Sequence, residues 1–177
     1  MAWTITPEMK SFFKSITSVK SVHQGLSNYP DSPISNIFDF FYLSLLVGLH
    51  QNQKGEIDNK NLSEDENNND NSKSTVLKTE GIPDNVSSSF KKYINAIYIS
   101  KEIVNEKVNI NARSEILRFI EDRYPIDPDT KEVKMSKKTI EDLNAYAIGG
   151  FKFMKKSIEE KPSDLLIFFE NYFKLLR

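Results

Sequence analysis

Two histidines, His23 and His50, are the only imidazoles in the chain, and there is no cysteine. Zinc–thiolate sites and cysteine nucleophiles are therefore excluded. Neither histidine has a second histidine or a carboxylate at metal-ligand spacing. His50 falls where a helix should end, and a cation there complements the helix dipole. The P-loop, the dinucleotide glycine fingerprint, the paired-histidine zinc motif and the nucleophile elbow are all missing from the sequence. Gly48 and the pair Gly149-Gly150 follow no strand, so they do not read as a phosphate cradle. Adjacent carboxylates occur at Glu121-Asp122 and Glu141-Asp142. Acid–base work needs two carboxylates in unlike environments, whereas these sit in hydrophilic runs and read as solvated helix faces. Asp39 differs, because it lies inside an apolar segment. It reads as a first-turn acid near the positive helix end, or as one half of an ion pair. A buried hydrolytic acid is the competing reading. No catalytic residue, cofactor site or metal site is expected, and the chain is read as a non-enzyme.

Lysines are the remaining chemistry. Lys152, Lys155 and Lys156 fall at i, i+3 and i+4 and share one helical face. With Lys137, Lys138, Arg113 and Arg118 they are the candidate contacts to nucleic-acid phosphates. A solvated helix face is the plainer reading, since Glu159 and Glu160 follow within a turn. The whole chain has a net charge of −1, far from the basic excess of a free-standing nucleic-acid binder.

Six helical segments position these groups. Thr6-Pro7-Glu8 is a helix start, and Met9, Phe12, Phe13, Ile16 and Val19 carry helix one to about Lys20. A loop through Gly25, Pro30 and Pro33 precedes a segment capped by Ser35 or Asn36 that ends near His50. There Phe38, Phe41, Tyr42, Leu45, Leu46 and Leu49 recur at helical spacing, while Phe40 and Val47 make the opposite side apolar too. A helix apolar all round must be wrapped by others, so this one is central. Helix three runs from Ser87 or Ser88 to about Val104, and helix four from near Asn111 to Tyr124. A hairpin-like turn follows through Lys131, and Val108-Asn109-Ile110 is at most an edge-strand fragment. Ser136 caps helix five, whose stripe is Ile140, Leu143, Ala147, Phe151, Met154 and Ile158. Pro162 and Ser163 open helix six, with Leu165, Leu166, Phe169, Tyr172, Phe173 and Leu176 as its docking residues.

The expected fold is one compact all-α domain of six helices. Residues 1–50 supply the N-terminal helices, and residues 86–177 complete the same domain. Between them, residues 51–85 carry four lysines against eight acids and read as a disordered, acidic loop. Such a loop could mimic phosphate charge against a partner; deletion of residues 55–80 tests that. Twelve Phe, seven Tyr and one Trp exceed what narrow stripes can hide, so part of this surplus is expected at a protein interface. The segment Ile37–Leu49 is too short to span a bilayer. The first ten residues show no signal-peptide pattern, so a cytoplasmic location is expected. The high Asn, Lys and Ile content suggests an AT-rich bacterial coding sequence.

Two segments carry a family resemblance. Asn36 through Leu49 resembles a helix with paired aromatics that closes on leucine and glycine; Leu143 through Phe151 resembles a tyrosine–alanine–x–glycine–glycine helix. In that order, with a polar insert between them, they resemble small helical accessory proteins of bacterial DNA phosphorothioation-dependent restriction and related anti-phage operons. The resemblance covers about 25 residues. Here Asn144 and Ala145 stand where an acid precedes the tyrosine in that pattern, and the insert is longer and more acidic. The resemblance implies a non-catalytic accessory subunit beside an ATPase or nuclease, and it transfers no site residues. Independently of it, Tyr146, Gly149 and Gly150 form a notch that Phe41, Leu45 and Gly48 of the central helix can fill, an internal structural lock. The expected function is thus a scaffold subunit acting through protein contacts, with DNA reached through the complex; the alternative is a free-standing helical DNA-binding regulator.

Overall fold

The computed structural model describes residues 2–17, 37–56, 62–63, 74–78, 88–158 and 165–177. Six helices dominate them: α1 Pro7–Thr17, α2 Ile37–Gln51, α3 Ser88–Asn105, α4 Arg113–Arg123, α5 Lys137–Ser157 and α6 Leu165–Leu175. The protein is an all-α domain, as the helical periodicity predicts. The expected end of helix one near Lys20, the loop through Gly25–Pro33, the caps Ser35 and Asn36, the helix-three start at Ser87, the helix-six start at Pro162 and most of the acidic insert lie outside the described residues.

Three short strands depart from the sequence reading. β1 Ala2–Ile5, β2 Leu62–Ser63 and β3 Ser74–Lys78 form a sheet in the order β1-β3-β2, with β2 parallel to β3. β1 holds Trp3, Thr4 and Ile5, whose aromatic and β-branched side chains favour extended backbone, and all three are buried. β3 contains Thr75-Val76-Leu77, the most β-prone run of the insert. Val108-Asn109-Ile110, by contrast, is not a strand. Val108 N–H bonds to Ile103 O, Asn111 N–H to the Asn109 side chain and Ala112 N–H to Asn109 O, so local turns use the backbone there.

The chain falls into two compact units, and the boundary lies within α5 between Asn144 and Ala145. Unit 1 is Met1–Trp3 with Leu77–Asn144; unit 2 is Thr4–Val76 with Ala145–Arg177.

In unit 1, Trp3, Ile94, Tyr98, Phe119, Ile140 and Leu143 are the main buried apolar side chains. α4 starts without a side-chain cap at Ala112, and Pro125 follows its C-cap Tyr124. α5 has its expected cap, since Thr139 N–H donates to Ser136 Oγ at 3.2 Å. The expected turn through Lys131 is present. Asp127 N–H bonds to Glu132 O, and Ile126 and Val133 form an isolated antiparallel bridge. Lys131 turns the chain at φ 60°, in the left-handed region.

Unit 2 is built on aromatic packing. Thr6 caps α1 through Met9 N–H at 3.2 Å. Phe12, Phe40 and Phe151 meet with ring centroids 5.6 to 6.0 Å apart. α2 is enclosed on nearly every side, with Phe40, Phe41, Tyr42, Leu45, Val47 and Leu49 all buried. This is how the neighbours Phe40 and Phe41 both avoid water. The aromatic surplus is thus largely internal, and Tyr93 and Phe173 are the exposed aromatics among the described residues. Of the expected docking residues of α6, Tyr172 is buried, whereas Phe173 is exposed and Phe168 rather than Phe169 is fully buried, so the buried face is rotated from the expected stripe. The Tyr172 hydroxyl donates to Leu43 O at 3.1 Å, which fixes that rotation.

Candidate functional site

The notch on α5 and the small residue of α2 are in direct contact. Gly48 lies so close to the Tyr146 carbonyl that a Cβ would collide with it. A Cβ on Gly150 would strike the Ser44 carbonyl in the same way. Phe41 and Leu45 are fully buried on α2. The contact extends past the helix end: Asn52 adopts φ 51°, Gln53 N–H bonds back to Gly48 O at 2.9 Å, and Gly55 N–H donates to Ala145 O at 2.7 Å. Tyr146 completes it, donating its hydroxyl to Asn52 Oδ1 at 3.0 Å beneath Lys54. Backbone approach this close is helix packing.

The candidate phosphate contacts are partly neutralised. Lys138 Nζ bonds to Glu106 at 2.7 Å, Lys137 lies 3.5 Å from Glu141, and Lys155 lies 4.0 Å from Glu8. Lys152 and Lys156 are exposed one turn apart on α5. Arg113 and Arg118 are exposed on α4. Asp39 is the third residue of α2, half-buried in the first turn, and its charge helps burial to push the Tyr42 phenol upward. His50 sits in the last turn of α2, and His23 lies outside the described residues.

Unit 1 holds a charged centre that the sequence reading passed over. Arg123, the last residue of α4, is 2% exposed. Its Nη2 contacts Glu106 and lies 3.9 Å from both Glu102, itself 2% exposed, and Asp142. The guanidinium sits over the Phe119 ring at 5.0 Å. Asp142 accepts the Tyr98 hydroxyl at 2.9 Å, so it is not the solvated acid its neighbour Glu141 suggests. Burial, reinforced by Asp142, holds the Tyr98 phenol protonated far above its ordinary range. Partial burial alone would raise the Glu106 carboxyl. The Lys138 hydrogen bond and the Arg123 and Lys138 charges outweigh it and hold Glu106 below the usual carboxylate range. The stabilisation carried by ionised Glu106 is therefore complete above that range and is lost as pH falls through its lower folded value. Glu106→Gln is expected to flatten the acid limb of the stability–pH curve, read by urea melts at successive pH values; an unchanged limb would assign the acid sensitivity elsewhere.

A signal was available. Ile94, Tyr98 and Glu102 stand at i, i+4 and i+8 on α3, so an acid falls on its buried stripe. Arg123 follows Phe119 by four on the buried face of α4.

The hairpin of unit 1 exposes a pair of apolar side chains. Ile126 is 63% exposed and its bridge partner Val133 65%. Beside them a recess of about 520 Å³ is lined by Pro125, Pro128 and Met135 with Lys134, Ser136 and Lys137 on its polar side. Asp127 stiffens the turn. Its carboxylate accepts from Lys134 at 2.9 Å and from the N–H groups of Thr130 and Asp129, each at 2.9 Å, which holds its carboxyl far below the ordinary range.

Among the described residues, no helix is long and apolar enough to cross a membrane. No known protein family matches the chain, and no curated protein or solved structure is significantly similar to it.

Proposed function

We propose that this chain is a non-catalytic accessory subunit that works through protein–protein contacts within a larger complex. The observation that carries the reading is the hairpin: Ile126 and Val133 stand opposite each other, nearly two-thirds exposed, on a turn braced by Asp127 and Lys134. Apolar side chains on a braced turn lose little entropy when covered, which suits them to anchor a partner. The resemblance of the α2 and α5 segments to accessory proteins of anti-phage operons supports a bacterial defence or DNA-processing complex, with an ATPase or nuclease as the partner and DNA met through it.

The test is Ile126→Asp with Val133→Asp. The doubly substituted chain is expected to keep its stability to within about 0.5 kcal/mol, because both sites are on the surface. It is expected to lose the ATPase or nuclease that co-purifies stoichiometrically with the tagged wild-type chain from its native host. Unchanged recovery of the partner would remove the hairpin from the interface. If the isolated chain instead binds duplex DNA with a steep salt dependence that Lys152→Glu with Lys156→Glu abolishes, the protein is a DNA-binding regulator.

A further inference from the structure

Glu106 is gripped in the way a protein grips a ligand. Its carboxylate lies between Arg123 Nη2, at the end of α4, and Lys138 Nζ at 2.7 Å, on the second residue of α5. The first turn of α5 has no acid, so nothing there offsets the positive end of its dipole. Glu106 itself stands just past α3, beside a turn in which Lys107 has φ 55°, and its side chain is 37% exposed. Arginine meets a carboxylate best with two parallel N–H groups. Here Nη2 meets Glu106, whereas Arg123 Nε is buried and finds no acceptor among the described residues.

We infer that Arg123 and Lys138 form a carboxylate-binding site in unit 1 and that Glu106 is its internal occupant, replaced by an external carboxylate when Glu106 turns out to solvent. The arriving group would span Nε and Nη2 and so satisfy the buried N–H that Glu106 leaves unpaired. Charge selects the ligand. Glu102 and Asp142 remain 3.9 Å from the same Nη2. Exchanging one monoanion for another keeps the local charge constant, whereas a phosphate dianion adds repulsion. The Tyr98 hydroxyl is already committed to Asp142 and does not compete.

The experiment follows the Arg123 Nε–H resonance of the full chain by proton–nitrogen NMR. Sodium acetate is added against sodium chloride at equal ionic strength. An internal occupant reduces apparent affinity by the fraction of time it is displaced. Glu106→Ala is therefore expected to bind acetate about tenfold or more tightly than wild type, with a saturating shift of Arg123 Nε–H. Adding Lys138→Met is expected to weaken that binding by a similar factor, and inorganic phosphate to bind more weakly than acetate. Glu106→Gln, which keeps the side-chain volume, reads the same signal should the alanine variant fail to fold. A short polyglutamate peptide titrated in parallel distinguishes the source: binding tighter than acetate indicates an acidic segment of a protein, and equal binding a free carboxylic acid. An Arg123 Nε–H signal that ignores acetate in both Glu106 variants, or that moves equally with chloride, overturns the inference.

Discussion

Gly48→Ala is expected to destabilise the protein by about 3 kcal/mol, the upper end of the usual cost of overpacking. For a chain of this length that lowers the melting temperature by roughly 6 to 12 °C. The reason is the identity of the obstacle. The added methyl meets the carbonyl oxygen of Tyr146 in α5, and backbone in the middle of a helix cannot turn aside as a flexible side chain can. Gly150→Ala meets the Ser44 carbonyl on the facing helix and should cost a similar amount. The two positions belong to one contact, so the double substitution should cost less than the sum, since helices already forced apart accept the second methyl more readily. Thermal and urea melts of the three variants measure this. A Gly48→Ala variant as stable as wild type would mean that α2 and α5 stand further apart than described.

Arg123→Met is expected to cost about 3 to 5 kcal/mol, for a different physical reason. Methionine fills much of the space, so little cavity is left. What remains is Glu102, almost fully buried, without the cation beside it. A buried carboxylate that loses a neighbouring cation is costly even though the Asn105 amide still donates to it, whereas the intact pair contributes modestly once desolvation is counted. Replacing Glu102 by leucine in the Arg123→Met chain should therefore return a substantial part of the loss, giving a coupling energy above about 1 kcal/mol in a double-mutant cycle. Additive effects would show that the two residues do not share an electrostatic site. Hydrogen exchange on α3 and α4 would report the loosening locally.

Both predictions bear on what could be read from the chain before its structure. The lock was legible because Gly149-Gly150 and Gly48 are expensive inside helices and so point to a backbone close by. α2 was legible because it is apolar on every side. The caps at Thr6 and Ser136 and the hairpin through Lys131 followed from local chemistry that tertiary structure did not override. β1 was not legible: four residues before Pro7 are too few for alternation to declare itself, and sheet pairing with β3 is a non-local event. The charged centre was missed for a related reason. Glu102 and Arg123 each fall on an apolar stripe of their own helix, but nothing within one segment pairs them with each other or with Asp142, and only the packing of three helices makes them one group. The face that α6 buries was legible at Tyr172 but not at Phe168, because its aromatic residues nearly encircle it and periodicity alone could not choose between Phe168 and Phe169.

The contact between α2 and α5 also acts as a filter on sequence change. Most core positions tolerate a swap among Leu, Ile, Met and Phe if volume is kept, so resemblance there fades quickly as chains diverge. Positions 48 and 150 allow no such exchange, because any side chain at all must enter a facing carbonyl. A distant homologue that keeps this helix crossing must keep a hydrogen atom in place of a side chain at both points. Two glycines, one closing an aromatic helix and one at the centre of a later amphipathic helix, are thus the trait by which kinship could be recognised after the rest of the sequence has drifted beyond comparison.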